Sequence, residues 1–162
     1  MKKIFFLIPI LLLISCKSKV VSTNSKEISI EKAESKFVKI NNSSIDEFQK
    51  TKAYEFGKRI LMTCNTSKFK VFDKTEATNS VIKNITQERL TKTCLKFRLR
   101  YGDFIDLDLI SIYKNTFEKT TVFRFKALYK KKIANKELRL SLNYNNQVSA
   151  VQSLDWVDIF QP

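Results

Sequence analysis

Residues 120–131 read TTVFRFKALYKK, residues 137–143 read ELRLSLN, and residues 147–156 read QVSAVQSLDW. In the first, Phe123, Phe125, Ala127 and Tyr129 share one side while Arg124 and Lys126 take the other; in the second, Leu138, Leu140 and Leu142 alternate with Arg139 and Ser141. A period of two with one apolar side is the signature of an antiparallel sheet packed on one face and wet on the other. Asn143 to Asn146 are turn residues between the second and third stretches, so these two form a hairpin. A two-residue Asn145-Asn146 turn would oppose Leu142 to Ser149. A three-residue loop with Asn146 left-handed opposes Leu142 to Val148 and Leu140 to Ala150, and is chosen because it matches apolar to apolar. That register carries Leu154 and Trp156 onto the core face.

Working back along the chain, Phe104 to Lys114 also alternates. Ile105, Leu107 and Leu109 oppose Asp106 and Asp108, and the phase then changes at Ile110 and Ile112, which a bulge would reconcile. The meander thus has four strands: Phe104 to Lys114, Thr120 to Lys131, Glu137 to Asn143, and Gln147 to about Ile159. Before it the period is helical. Thr86 is the expected N-cap of a helix with Gln87 and Glu88 in its first turn, a buried stripe of Leu90, Cys94, Phe97 and Tyr101, and Arg98 and Arg100 before Gly102 at its end. An earlier helix is expected from Ile45, behind a Ser44/Glu47 capping box, to about Asn65, with Ile45, Phe48, Ala53, Phe56, Ile60 and Cys64 inward. Between them, a short helical turn around Ser80 to Lys83 puts Val81 and Ile82 inside. The expectation is an α+β domain: two long helices and a short one packed on a curved four-stranded antiparallel meander.

The chain has 162 residues, 43% of them apolar, enough for one core of ordinary size in a single domain spanning 44–162. It has no His, which removes the commonest general base and most imidazole metal sites. No nucleotide loop, zinc spacing, calcium loop or nucleophile elbow occurs, so neither a metal nor a cofactor is expected.

The amino terminus is an address. Lys2 and Lys3 precede an apolar run from Ile4 to Ile14, which falls short of the roughly 20 residues a spanning helix needs. Leu13, Ile14, Ser15 and Cys16 then resemble the bacterial lipobox, which implies cleavage after residue 15 and acylation of Cys16. Residues 16–43, rich in Lys, Ser, Asn, Glu and Thr, read as the lipidated cysteine and a flexible tether, within which a short strand at Phe37 to Ile40 is possible. Lys17, Ser18 and Lys19 offer no acidic sorting signal behind the cysteine, so the expected location is the outer membrane, facing the periplasm. The net charge of +14 falls by two with the signal, to +12. In an envelope protein this charge serves solubility and attraction to an anionic bilayer, and nucleic acid is not the expected partner.

The run from Tyr101 to Trp156, with Tyr101-Gly102-Asp103-Phe104, the strand Val122 to Ala127, the strand Lys136 to Leu140 and the terminal Asp155-Trp156, resembles small bacterial envelope domains of the nuclear transport factor 2-like (cystatin-like) group. The resemblance implies a sheet wrapped around a helix, with ligands entering the concavity. Phe123, Phe125, Tyr129, Leu140 and Trp156 are the candidate pocket lining, although a filled core explains the same residues. Cys64 and Cys94 lie on the inner sides of two helices. They can bridge, closing a loop worth about 3 kcal/mol, or pack as two free thiols. Asp106 and Asp108 read as a solvated cross-strand partner set for Arg124 and Lys126, and Lys130, Lys131 and Lys132 as a solvated turn. The function expected is a lipid-anchored, non-enzymatic module that binds an envelope protein or small apolar ligand. The enzymatic alternative, an isomerase or hydrolase, would use Asp103 or Tyr113.

Overall fold

A computed structural model describes residues 36–162; the signal, Cys16 and most of the tether lie outside the described residues. The elements run β1 (Phe37–Ile40), a 3-10 turn (Asn42–Ser44), α1 (Glu47–Thr66), α2 (Asn79–Asn84), α3 (Gln87–Tyr101), β2 (Phe104–Asn115), β3 (Thr120–Tyr129), β4 (Lys136–Leu142) and β5 (Val148–Asp155). The sheet is antiparallel with strands in sequence order, β1-β2-β3-β4-β5, so the expected α+β class holds but the strand number is five. The added strand falls inside the stretch read as tether. Phe37 pairs with Asn115 and Ile40 with Ile112, extending the sheet beyond the far half of β2.

Helix α1 starts later than the capping box suggests. Asp46, not Ser44, caps it by accepting from the Phe48 amide at 3.0 Å, while the Ser44 hydroxyl donates to the Asn41 carbonyl. With that start, Phe48 is 59% exposed and leaves the core face, and Ala53, Phe56, Ile60, Leu61 and Cys64 are buried. Gly57 sits where α1 crosses β2 and β4: a Cβ there would lie 2.7 Å from Leu107 Cδ1 and 2.9 Å from Leu138 Cδ2 and Leu140 Cδ1. The missing side chain sets how closely the helix can approach the sheet. Helix α3 follows its signals. Thr86 accepts from the Arg89 amide at 3.3 Å, and Gly102, at φ +77°, ends the helix with its amide donating to the Arg98 carbonyl at 2.9 Å. Cys64 on α1 and Cys94 on α3 form a disulfide with Cα atoms 4.6 Å apart, tying the two long helices together.

The inner face of the sheet carries Leu107, Ile112, Phe123, Phe125, Leu138 and Leu140, all buried with α1 against them. Each such side chain contributes about 1.5–3 kcal/mol by leaving water. The phase change in β2 is a register shift between Leu109 and Ser111: Leu109 opposes Phe125 and Ser111 opposes Arg124, with Ile110 as the extra residue.

The last hairpin departs from expectation after its first pair. Asn146 is left-handed at φ 58° and Leu142 opposes Val148, as the three-residue loop requires. A register shift then places Ser141 against Ala150 and Leu140 against Val151, leaving Ser149 as the additional residue. One extra residue reverses the facing of everything beyond it. Val151 and Ser153 therefore join the inner face, while Leu154, opposite Glu137, moves to the outer one.

Candidate functional site

The outer face is where the alternation of Phe and Arg has its unexpected consequence. Arg124 on β3 and Arg139 on β4 are direct cross-strand partners, and Glu137 lies two residues before Arg139 on the same side. The sequence pattern reads this side as wet, yet the side chains are 2%, 7% and 0% exposed for Arg124, Arg139 and Glu137. Glu137 uses both oxygens: Oε2 accepts from Arg124 Nε at 2.7 Å, and Oε1 accepts from Arg139 Nε. Two guanidinium groups against one carboxylate leave the buried trio with one positive charge.

What covers the trio is the segment after β5. The Arg124 guanidinium lies 4.2 Å from the Trp156 ring and donates to the Val157 and Asp158 carbonyls. The Arg139 guanidinium lies 4.4 Å from the Phe160 ring. Phe160 in turn stacks on Tyr113 at 3.9 Å and meets Phe37 edge-on at 5.4 Å. Aromatic faces suit guanidinium planes because the ring quadrupole attracts the charge while the edge of the guanidinium stays available for hydrogen bonds. Trp156 is thereby corrected as a pocket residue: the Ser149 bulge puts it on the opposite face from Phe123 and Phe125.

The segment does not seal the face. A cavity of about 420 Å³ is bordered by Phe37, Val122, Arg139, Ser141, Gln152 and Phe160. A second, of about 330 Å³, is bordered by Arg139, Gln152, Leu154, Val157 and Pro162. Both fall in the range of small-molecule sites, roughly 300–1,000 Å³. Arg139 borders both, and its Nη1 and Nη2 make no hydrogen bond with any described residue.

The expected inner concavity is occupied. Phe123, Phe125, Tyr129 and Leu140 are core residues with Phe56, Leu107 and Leu138 around them, and burial pushes the Tyr129 hydroxyl well above its usual range. An apolar cavity of about 180 Å³ remains between the helices and the sheet, beside Cys64, Cys94 and Phe97, which is small for a ligand pocket. Asp103 and Tyr113 cannot act together. They stand at opposite ends of β2, about 30 Å apart by strand rise. Asp103 pairs with Lys130 at 2.7 Å, which holds its carboxyl below the usual range, and with Arg98 at 3.4 Å. Asp108 opposes Lys126 as expected, but Asp106 opposes Leu128 instead of Arg124. Asp106 accepts from the Tyr54 hydroxyl at 2.6 Å, which lowers its pKa. Of the basic turn, Lys131 donates to the Leu99 carbonyl at 2.9 Å.

Comparison with protein-family models, with curated proteins and with solved structures finds no match. The trio was missed because alternation alone cannot tell a solvated side from one roofed by a later segment. The available signal was the aromatic content of residues 155–160, DWVDIF, downstream of a strand pair bearing Arg, Glu and Arg on one side.

Proposed function

We propose that this protein is a lipid-anchored module of the bacterial cell envelope, carried on the outer membrane facing the periplasm, whose folded domain binds a ligand or partner and catalyses no reaction. The anchor rests on Leu13, Ile14, Ser15 and Cys16 behind a short apolar run. The domain layout supports the cystatin-like resemblance: α1 follows the edge strand β1 and packs on the antiparallel meander that comes after it. The observation that carries the binding reading is the distribution of space. The inner face is filled by side chains, and two cavities of ligand size lie on the outer face around a buried arginine.

The anchor is tested by metabolic labelling with a fatty-acid analogue, followed by fractionation of the envelope. Wild type takes the label and sediments with membranes, and Cys16→Ala does neither. Equal labelling of the two refutes the assignment.

A further inference from the structure

Arg139 is held as a receptor for a carboxylate would hold it. Its Nε is fixed by Glu137 and its plane is covered by Phe160, so the guanidinium cannot swing. Its other edge, with Nη1 and Nη2, bonds to no described residue and borders two cavities. The side chain is more than nine-tenths buried, and its two unpaired N–H groups are left to the water of the cavities, which an anionic acceptor can displace. The local charge favours an anion. Glu137 is already shared between two arginines, Asp155 is engaged by Lys136 at 2.5 Å, and the charge of Asp158, which accepts from the neutral Trp156 Nε1 at 3.1 Å, is balanced in the local count by the Lys126 ammonium 5.2 Å from the centre of the Trp156 ring. At the rim Lys36 and Glu118 stand 4.0 Å apart and offset each other. A planar fork of two parallel N–H donors matches a carboxylate bidentately.

The larger cavity also has an apolar wall of Phe37, Val122, Ala150 and Phe160. From this geometry we infer that the outer face binds a small organic carboxylate with an apolar body, its carboxylate on Arg139 and its body against Phe37 and Phe160. This rests on the reading of the domain as a binding module and names the class of ligand and the site. Ser141 and Gln152, which border the same cavity, add polar contacts beside the carboxylate.

The test titrates benzoate, and benzamide as its uncharged isostere, into the purified mature protein by calorimetry. Benzoate binds saturably. Benzamide and the Arg139→Gln variant bind roughly ten- to a hundredfold more weakly, the cost of losing hydrogen bonds to a charged group. Arg139→Lys, which keeps the charge but not the fork, falls between. Ser141→Leu leaves Arg139 in place and fills the cavity, so it also abolishes binding, which keeps the test decisive if Arg139→Gln does not fold. Equal affinity for benzoate and benzamide, no saturation at millimolar benzoate, or unchanged binding by Ser141→Leu overturns the inference. A protein that is acylated and engages an envelope partner but ignores benzoate loses this site and keeps the binding-module reading. One that binds benzoate without acylation at Cys16 loses the anchor and keeps the site.

Discussion

Replacing Glu137 by Gln removes the only carboxylate between two nearly inaccessible guanidinium groups while keeping the size of the side chain. Breaking a buried ion pair by removing one partner costs about 3–5 kcal/mol, because a charge is left without compensation. Here two arginines are affected, but both have some relief. Arg124 keeps the Val157 and Asp158 carbonyls and the Trp156 ring, and Arg139 has the two cavities through which water can reach it. The expected loss is therefore at the lower end, about 3 kcal/mol, or roughly 10 °C in melting temperature for a domain of this size. Arg139→Gln serves as the control. It leaves Glu137 paired with Arg124 at 2.7 Å, a neutral buried pair, and its expected cost is about 1 kcal/mol. Urea unfolding with the disulfide intact reads both. Trp156, the single tryptophan, packs on Arg124 and reports the site itself through its fluorescence. If Glu137→Gln stays within about 1 kcal/mol of wild type, or Arg139→Gln costs as much as Glu137→Gln, the trio is not a shared-carboxylate unit and the reasoning fails.

Two further outcomes follow from the packing and from the acidic groups. Gly57→Ala should gain about 1 kcal/mol from helix propensity, but its methyl would meet three buried leucine methyls at 2.7–2.9 Å. With overpacking at about 1–3 kcal/mol, the net effect is destabilisation, and a raised melting temperature would show that α1 can lift from the sheet freely. Glu76 accepts from Arg59 Nη1 and Nη2 at 2.9 and 2.7 Å, which holds its carboxyl below the ordinary glutamate range. Because the folded value is the lower one, its stabilisation is fully present above about pH 4.5 and is lost as pH falls through the folded value. Glu76→Gln should therefore flatten the acid limb of a pH–stability curve, and an unchanged limb would place the acid sensitivity elsewhere.

Much of the fold was legible because the signals were local. Thr86 and Gly102 bound α3 by their own backbone chemistry, and the phase change at Ile110 gave away the β2 bulge. Strand β1 was legible only as a possible short strand at Phe37 to Ile40 within the polar stretch, and its place in the sheet was hidden because its pairing partner lies some 70 residues away at Ile112–Asn115. The shift at Ser149 was hidden for another reason. Pairing Leu140 with Ala150 or with Val151 is apolar either way, so hydrophobic matching does not separate the two registers. That ambiguity spread into the site, where Trp156 was assigned to the inner lining and the buried state of Arg124, Glu137 and Arg139 went unseen. Burial there depends on residues 156–160 folding back over the sheet, a tertiary event with no periodicity to announce it.

The extra residue at Ser149 makes β5 a strand of two dialects. Before it, Val148 answers to the hydrophobic interior; after it, odd-numbered positions such as Val151 and Ser153 take over that duty, while even-numbered ones such as Gln152 and Leu154 face outward opposite Arg139 and Glu137. Because the bulge takes up this one residue, losing its codon would leave Ala150 opposite Ser141 and Val151 opposite Leu140 as they stand, whereas a strand that paired Ser149 itself with Ser141 would exchange the two sets wholesale and turn Gln152 towards the interior.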